Sequence, residues 1–381
     1  MKARIIASTK IGYEMEKEEA MILSGEAAGI CYLADSLDKL FEEDNSKTIK
    51  RATNILSVGH HSIFSHPTYT IVFEDIPKIV AMIINNEKMY ATSEKSARYT
   101  KMAVSEEEMI LYKKWISLFK EQIIFHYPKI SFKKAEKLAQ ENARYLISVF
   151  TPSTTLAYTT NIRQLNYIIA WSKNYINDKS KKDAFSLKVK EALKDFLATI
   201  SSLEIEGLNA NMKGREFSLF ATRKRKEEFG ENYCTTYSAT FAELAQAQRH
   251  RTINYEMSVP SSPSYYIPKI IRNTGFENLW LQDINSLSHL YPQGMLVTIN
   301  ERGTIENFVQ KCFERLCGSA QLEIMDQTKN TLDKYLENVK DEKELYEYLE
   351  TYSKGARCVF PGWSCNLPCM FGGKHAMERI I

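Results

Sequence analysis

The sequence lacks long apolar runs, and it contains few cysteines. No stretch approaches the ~18 consecutive apolar residues of a membrane-spanning helix, so no membrane segment is expected. Seven cysteines scattered over 381 residues do not form the pattern of a disulfide framework, and they favour a reducing compartment. The amino-terminal segment MKARIIASTK has too short an apolar run for a secretory signal. These absences predict a soluble, cytoplasmic protein.

The sequence also lacks a strong excess of either charge. Its 50 Lys and Arg residues and 47 Asp and Glu residues leave a net charge of +3, without the concentrated positive field of a dedicated DNA or RNA binder. No nucleic-acid partner is therefore expected, and any phosphate binding should be local. No low-complexity tract is present, and the length predicts two domains at ~100–200 residues per domain.

One local cluster stands out, the run Gln246-Ala247-Gln248-Arg249-His250-Arg251. Two guanidiniums one residue apart present forked N–H donors that match the oxygens of a phosphate or pyrophosphate. Gln246 lies one helical turn earlier, and its neutral amide suits the edge of a base or flavin ring. A solvated basic patch is the alternative interpretation of the triplet alone.

Two segments of the chain predict the same order of elements. Apolar residues alternate between Pro67 and Phe73, which predicts a half-buried strand, and a helix is expected from Pro77 to Met89. In the second half, Tyr233 to Thr240 predicts a strand and Phe241 to Arg251 a helix that leads into the Arg-His-Arg cluster. The order strand, helix, loop therefore occurs twice.

A short internal echo also indicates a duplication. Thr159-Thr160-Asn161-Ile162-Arg163 and Thr298-Ile299-Asn300-Glu301-Arg302 share the pattern Thr-x-Asn-x-Arg. Amphipathic helices are expected after them, from Asp183 to Leu203 and from Ile305 to Val339, with apolar stripes that indicate core positions. A chance match is the alternative, but the repeated order of elements favours duplication with a boundary near residue 206.

At these motifs the chain resembles a known family, the flavin-dependent thymidylate synthases (ThyX). That family carries Arg-His-Arg, seven residues and Ser, usually followed by Arg-Tyr, whereas six residues separate Arg251 from Ser258 and Val259 follows. The missing end, Ser96-Ala97-Arg98-Tyr99, lies in the first half, after the similar stretch Gly59-His60-His61-Ser62. The Arg-His-Arg position of that half is filled by Asn86-Glu87-Lys88.

Two further stretches resemble the family. In the first half, Asn142-Ala143-Arg144 followed by Thr159-x-Asn161-x-Arg163 is similar to the family's Ala-Arg to Thr-x-Asn-x-Arg stretch, but the later arginine of the family falls at about Ser172. In the second half that arginine is present as Arg315, followed by Ala320-Gln321-Leu322-Glu323-Ile324, and no counterpart of Arg144 is visible. Each half therefore lacks a family arginine that the other half has: the first half lacks a counterpart of Arg315, and the second half lacks a counterpart of Arg144.

The resemblance implies a role for the matching residues. The cofactor-binding residues would be Arg249, His250, Arg251, Asn300, Arg302, His60, Asn161 and Arg163. The substrate-binding residues would be Ser96, Arg98, Tyr99, Arg144, Gln246 and Arg315, of which Gln246 and Arg315 would also be catalytic. One composite site would draw on both halves, and the mirror-image site, built around Asn86-Glu87-Lys88, Ser172, Ser258 and Val259, is expected to be inactive.

The resemblance also implies the fold and the reaction. It implies a mixed α/β fold of the α+β type, with two ThyX-like halves at residues 1–205 and 206–381, each a mostly antiparallel sheet flanked by helices. The implied reaction is the reductive methylation of dUMP to dTMP with FAD as cofactor and NADPH and methylenetetrahydrofolate as cosubstrates. Because the family's sites lie between subunits of a homotetramer, a fused chain is expected to form a homodimer.

Several residues have other interpretations. His60 could be a loop histidine with an ordinary hydrogen bond, and Asn161 and Asn300 could be helix caps, a role that asparagine fills well. Cys358, Cys365, Cys369 and His375 could hold zinc, but their spacing lacks the usual Cys-x2-4-Cys pair, so we expect no metal.

The sequence is also compatible with two other functions. One is a flavin-dependent C5 modification of another pyrimidine nucleotide, such as hydroxymethylation. The other is a homologue that binds flavin or nucleotide without turnover.

Overall fold

The computed structural model describes residues 1–9, 15–30, 36–95, 104–208, 215–220, 224–365, 369–371 and 373–381. The described residues form thirteen α-helices and seven β-strands. The strands are β1 (Lys2–Ser8), β2 (Thr68–Pro77), β3 (Ala91–Glu94), β4 (Pro152–Asn161), β5 (Asn232–Thr240), β6 (Asn254–Ser258) and β7 (Leu296–Thr304). The helices are α1 (Lys17–Ile30), α2 (Leu37–Phe41), α3 (Asn45–Ser57), α4 (Lys78–Ile84), α5 (Glu106–His126), α6 (Phe132–Ala143), α7 (Ile162–Asn177), α8 (Ala184–Ile200), α9 (Phe241–Ala247), α10 (Gly275–Ser286), α11 (Ile305–Arg315), α12 (Leu322–Asn338) and α13 (Lys343–Glu350).

The chain divides into two compact units. Unit 1 contains Met1–Ser96 and Pro152–Phe217, and unit 2 contains Ala97–Thr151 and Ser218–Ile381. Each unit is therefore built from two separate stretches of sequence, whereas the predicted halves, 1–205 and 206–381, are continuous. The assignment of functions to those two halves stays a prediction.

Unit 1 is built on a four-stranded antiparallel sheet with the order β1-β2-β4-β3. In β2 the apolar side chains of Tyr69, Ile71 and Phe73 are buried and their neighbours are partly exposed, which confirms the predicted half-buried strand. The ring of Phe73 lies 5.5 Å from that of Phe196 in α8, so the apolar face of α8 covers this side of the sheet.

Unit 2 contains a three-stranded antiparallel sheet with the order β5-β7-β6. One apolar core contains Tyr233, Phe308 and Tyr335, whose rings lie 5.3 to 5.7 Å apart. A second core joins α5 to α10 through Trp115 and Trp280, whose rings meet edge to face at 4.8 Å. These cores hold α9, α11 and α12, which carry the polar side chains described below.

The two units repeat one order of elements. In unit 1 the order β2, α4, β3 leads on to β4, α7, α8, and in unit 2 the order β5, α9, β6 leads on to β7, α11, α12. In both sheets the last of the three strands lies in the middle, antiparallel to the other two. The mixed α/β fold with antiparallel sheets is thus confirmed, while a tandem duplication stays a prediction.

Three predicted helices differ from the observed ones. The helix expected from Pro77 to Met89 ends at Ile84, and the helix expected from Phe241 to Arg251 ends at Ala247. The helix expected from Ile305 to Val339 is interrupted between α11 and α12. At this interruption Gly318 packs closely against the carboxyl-terminal segment, where an added Cβ would lie 2.8 Å from Cys369 Sγ.

Across the described part of the chain, no helix is both long enough and apolar enough to cross a membrane.

Candidate functional site

Unit 2 brings three predicted site residues together around one glutamine, Gln321, which precedes α12. Arg144 follows α6, and Gln246 lies in the last turn of α9. A guanidinium N–H of Arg144 and the amide of Gln246 both donate to Gln321 Oε1. Arg315, at the end of α11, donates from a terminal nitrogen to the Gln246 carbonyl at 3.2 Å. Residues far apart in sequence thus converge within one unit.

A buried carboxylate, Glu323, is connected to Gln321 by two hydrogen bonds through Tyr145. The Gln321 amide donates to the Tyr145 hydroxyl, and that hydroxyl donates to Glu323 Oε2 at 2.7 Å. The backbone N–H of Thr240 donates to the other carboxylate oxygen at 2.9 Å. Burial raises the pKa of Glu323, although the hydrogen bonds from Tyr145 and Thr240 oppose this effect. We call Arg144, Tyr145, Gln246, Gln321 and Glu323 the Gln321 cluster.

His250 is the buried member of the Arg-His-Arg triplet. Its Nε2 accepts a hydrogen bond from Arg315 Nε at 2.7 Å, so Nε2 carries no proton. The pKa of His250 is lowered to about 2, because burial disfavours the imidazolium and the Arg315 guanidinium repels it. His250 is therefore a neutral acceptor that orients Arg315, and it brings no positive charge to the site.

The two arginines of the triplet lie elsewhere. Helix α9 ends before them, and Arg249 and Arg251 are exposed in the turn that leads to β6, each with an interaction of its own. The triplet therefore does not act as one convergent group. His250 points into unit 2 and its two neighbours point outward.

A basic pocket opens beside this turn. It has a volume of about 590 Å³, and we call it the Arg302 pocket. Four cations line it, against one carboxylate, Glu228. The cations are Lys224, Arg225, Lys226 and Arg302, and Thr252, Asn254, Thr304 and Asn307 supply neutral donors and acceptors. This lining suits a ligand that carries more than one phosphate group.

Glu256 in β6 holds the two arginines of the Arg302 pocket. Arg225 donates to both carboxylate oxygens and Arg302 donates to Oε1 at 2.7 Å. Burial opposes ionisation of Glu256, but the hydrogen bonds from Arg225 and Arg302 outweigh it and lower the pKa. Arg302 also donates to the Asn300 side chain at 3.3 Å. One carboxylate thus fixes two guanidiniums at the pocket wall.

Asn300 does not cap a helix. It lies within β7, and its amide donates to Thr235 O, Thr236 Oγ1 and Cys234 Sγ at 3.2 Å, while Thr304 caps α11. Asn161 does cap a helix, since its side chain accepts from the Gln164 N–H at 2.8 Å at the start of α7. The cap interpretation is correct for Asn161 and wrong for Asn300.

Unit 2 also buries the ionisable side chains of Lys311, Glu301 and Glu243. Lys311 donates to Glu301 Oε2 at 2.6 Å, and both side chains are fully buried. Tyr233 and Tyr237 donate to the same carboxylate at 2.7 Å. Glu243 in α9 is also fully buried, and neither of its carboxyl oxygens has a hydrogen-bond partner in the described structure. Burial raises the pKa of Glu243 to about 8.

The predicted site residues of the first half have separate surroundings. His60 is exposed and contributes no side-chain cap to the short helix that follows it. Arg163 donates from Nε to the Tyr167 hydroxyl at 3.1 Å. Ser96, Arg98 and Tyr99 lie outside the described residues. The contribution of all five to a site stays a prediction.

The cysteine-rich segment does not form a metal site where the structure describes it. Within those parts of the chain, no three His, Cys, Asp or Glu side chains are placed to hold a metal ion. Cys358 Sγ accepts from the Gly373 N–H at 3.0 Å, and His375 lies by Glu378 at the surface. The zinc interpretation has no structural support there.

Sequence reasoning missed the residues that hold the site together. Tyr145, Gln321 and Glu323 were not selected as site residues, although Gln321 and Glu323 belong to a motif that resembles the family and Tyr145 follows Arg144. Arg225 and Glu256 were missed as well, and no spacing pattern links them.

Part of the chain matches a family model. Residues 13–172 match the family described as "Thymidylate synthase complementing protein". A flavin-dependent thymidylate synthase of Pyrococcus furiosus is 25% identical over 148 residues, which are 35% of this chain and 56% of that protein. The chain thus spans about half the length of this curated relative.

Two solved structures with limited similarity to this chain are those of a nucleotide methylase and a thymidylate synthase. The UMP/dUMP methylase PolB from Streptomyces cacaoi, bound with 5-Br dUMP, is 12% identical with a TM-score of 0.35, over 55% of this chain and 93% of that one. The flavin-dependent thymidylate synthase ThyX from Helicobacter pylori, complexed with FAD and dUMP, is 16% identical with a TM-score of 0.31, over 51% and 93%.

Proposed function

We propose that this chain is a flavin-dependent thymidylate synthase, which binds FAD and dUMP and catalyses the reductive methylation of dUMP to dTMP. NADPH and methylenetetrahydrofolate are the proposed cosubstrates. The observation that carries the proposal is that Arg144 and Gln246 both donate to Gln321 while Arg315 donates to the Gln246 main-chain carbonyl, since the resemblance assigns these three residues to the nucleotide.

The proposed nucleotide contacts follow from charge. A nucleotide monophosphate carries about two negative charges near neutrality, and charge-assisted hydrogen bonds are roughly twice as strong as neutral ones. Arg144 and Arg315 would bind the phosphate, and the Gln246 amide would bind the pyrimidine edge. Ser96, Arg98 and Tyr99 are proposed to complete the contacts. Gln321 fixes Arg144 and Gln246 before the ligand arrives, which lowers the ordering cost of binding.

The Arg302 pocket is the proposed place for the FAD diphosphate. Its cations outnumber the carboxylates Glu228 and Glu256, and its volume of about 590 Å³ lies in the range of small-molecule sites. Arg249 and Arg251, in the turn beside the pocket, are proposed to contact the same cofactor. FAD would supply the redox chemistry when bound.

The remaining work of the protein would be orientation and charge. His250 stays neutral and holds Arg315 Nε, so the guanidinium keeps its charge for the substrate and its direction is fixed. Glu323 fixes Tyr145, which in turn fixes Gln321. Such a preorganised site stabilises developing charge without reorganisation.

Spectroscopy and product analysis test the proposal. The purified protein should carry flavin absorbance or acquire it with added FAD, and dUMP should perturb the flavin spectrum. With dUMP, methylenetetrahydrofolate and NADPH, dTMP should form. A protein that takes up no FAD would refute the proposal. Turnover with a different C5 substituent would favour modification of another pyrimidine nucleotide, and binding without product would favour a non-catalytic homologue.

Two variants separate the proposed roles. Arg144→Ala removes a charge-assisted contact of about 1.5–3 kcal/mol, so dUMP affinity should fall roughly 10-fold to 100-fold while flavin stays bound. Arg302→Ala should lower flavin retention and leave the Gln321 cluster intact. Arg272→Ala, an exposed arginine that donates to the Ile267 carbonyl, is the matched control and should change neither. Equal losses in Arg144→Ala and Arg302→Ala would contradict this division of roles.

A further inference from the structure

A second basic cavity lies in unit 2, outside the Gln321 cluster and the Arg302 pocket. It has a volume of about 360 Å³ and is bounded by α6, by the segment between α11 and α12, and by the carboxyl-terminal segment. Lys133, Lys134 and Lys137 line it from α6, and Arg379 lines it from the carboxyl-terminal segment. We call it the Lys134 cavity.

The lining carries a strong local excess of positive charge. Four cations face one carboxylate, Glu141, although the whole chain has a net charge of only +3. Lys137, Glu141 and Arg379 have interactions of their own, and Lys133 and Lys134 add further positive charge to the same lining. Bringing like charges together in a concave site is unfavourable without a counter-charge, and a concave site also focuses the field on an anion.

The cavity wall contains a buried, hydrogen-bonded arginine and an apolar surface. Arg379 is 5% exposed and donates to the main-chain oxygens of Ala320 and Ile381. The Phe371 ring lies 5.4 Å from the Arg379 guanidinium and 5.6 Å from Lys134 Nζ, and Leu138 adds a further apolar surface. The positions of two cations are therefore defined by the same aromatic ring.

From this arrangement we propose that the Lys134 cavity binds the phosphoryl groups of a small molecule, as a site separate from the candidate active site. Lysine ammonium groups act as point charges for phosphate. The volume, about 360 Å³, falls in the range of ligand pockets and leaves space for more than one phosphoryl group. Inorganic pyrophosphate and a nucleoside triphosphate are two sources of the same chemistry.

Two residues that line the Lys134 cavity are close in sequence to residues of the Gln321 cluster. Ala320 lines the cavity and the next residue, Gln321, accepts the hydrogen bond from Arg144. On α6, Glu141 lines the cavity three residues before Arg144. An anion in the Lys134 cavity would therefore contact the two segments that form the Arg144–Gln321 hydrogen bond.

Calorimetric titration of the full chain tests the proposal. Wild type should bind pyrophosphate saturably, and the triple variant Lys133→Gln, Lys134→Gln, Lys137→Gln should bind it at least about tenfold more weakly. The charge-matched control Lys113→Gln, Lys129→Gln, Lys182→Gln changes exposed lysines outside the cavity and should bind as wild type does. Arg144→Ala with Arg315→Ala, and separately Arg302→Ala, should also retain this binding, which distinguishes the cavity from the Gln321 cluster and from the Arg302 pocket.

Two further ligands identify the chemistry. Binding of ATP as tight as that of pyrophosphate shows that the phosphoryl groups suffice, and tighter binding of ATP makes the nucleotide the source. Failure of both to bind, or equal affinity in wild type and the triple lysine variant, would overturn the proposal. So would tighter binding of triglutamate than of pyrophosphate, because that outcome assigns the cavity to carboxylates. Thermal melting of each variant confirms that it is folded.

Discussion

At the scale of single residues, the site depends on side chains that stay neutral although they are titratable. His250 accepts from Arg315, and a proton on Nε2 would remove this hydrogen bond and place two cations in contact. Glu243 is buried beside the Lys311–Glu301 pair without a hydrogen-bond partner among the described residues. Burial shifts the two pKa values in opposite directions, so each residue produces its own pH dependence of stability.

His250 should make unit 2 sensitive to acid. Its folded pKa, about 2, lies below the ordinary histidine pKa of 6.5, so its contribution to stability is present above pH 6.5 and is lost as the pH falls towards 2. Between pH 7.5 and pH 5, wild type should lose about 2 kcal/mol more than His250→Asn in urea unfolding. His289→Asn, at an exposed histidine, should lose as much as wild type. Parallel losses in all three proteins would show that His250 does not cause the effect.

Glu243 should have the opposite effect. Its folded pKa, about 8, lies above the ordinary glutamate pKa of 4.5, so its contribution to stability is present below pH 4.5 and is lost as the pH rises through 8. Glu243→Gln keeps the shape of the side chain without the charge. The variant should gain about 3–4 kcal/mol relative to wild type between pH 5 and pH 9. Glu337→Gln, at an exposed glutamate, should show no such gain.

The sequence predicts which kinds of side chain form the site. It does not predict the directions in which those side chains point. The sequence run itself identified Gln246, Arg249 and His250 as a group, and the resemblance added Arg315. The sequence could not show that His250 faces inward while Arg249 faces outward, because consecutive residues of a turn point in different directions. Nor could it identify Tyr145 and Glu323, since their role arises from a hydrogen-bond chain that closes only in the folded unit.

At the scale of elements, the capping residues of α7 and α11 show which positions of the two units correspond. Asn161 caps α7 and Thr304 caps α11, so these residues are equivalent, and Thr304 lies four residues after Asn300. The Thr-x-Asn-x-Arg echo therefore pairs residues that occupy different positions in the two units. Counting from the first residues of the helices gives the equivalence of Ser172 with Arg315 that the family motifs predicted. The strand and helix order was thus predictable, and the five-residue match was misleading.

The packing of α1 on α3 gives a prediction at this scale. A Cβ at Gly25 would lie 2.2 Å from the Thr48 carbonyl oxygen, so the two helices could not keep their present separation. Gly25→Ala should lower stability by about 1–3 kcal/mol through overpacking. Gly275, the first residue of α10, has nothing within 4 Å of an added Cβ, and Gly275→Ala should be neutral or stabilising by up to about 1 kcal/mol.

Thermal unfolding of the two glycine variants measures the difference, and hydrogen exchange in α1 locates it. A Gly25→Ala protein that melts at the same temperature as Gly275→Ala would show that α1 and α3 can separate at little cost. Loss of protection confined to α1 and α3 would support the packing argument.

At the scale of the whole molecule, the repeated topology does not come with repeated chemistry. In unit 2, α9 is followed by Arg249-His250-Arg251, and in unit 1 the equivalent residues after α4 are Asn86-Glu87-Lys88. Glu87 is fully buried and pairs with Arg215 at 2.5 Å. Ser172, at the position of Arg315, bonds to the Ile168 carbonyl of its own helix at 2.8 Å. Unit 1 thus has a carboxylate and a hydroxyl where unit 2 has an imidazole and a guanidinium.

Within the described part of the chain, only unit 2 has the imidazole and the guanidinium at these equivalent positions, and this asymmetry predicts the binding stoichiometry. Glu87, which is paired with Arg215, offers no donor charge to a phosphate, and Ser172 cannot replace the charge of Arg315. Flavin and dUMP should therefore each bind with a stoichiometry of one per chain, measured by flavin absorbance after unfolding and by calorimetric titration of the holoprotein. Arg315→Ala should weaken nucleotide binding at that one site, whereas Ser172→Ala should leave it unchanged. Two flavins or two dUMP molecules per chain would show that both units bind ligand and that their chemical divergence has another cause.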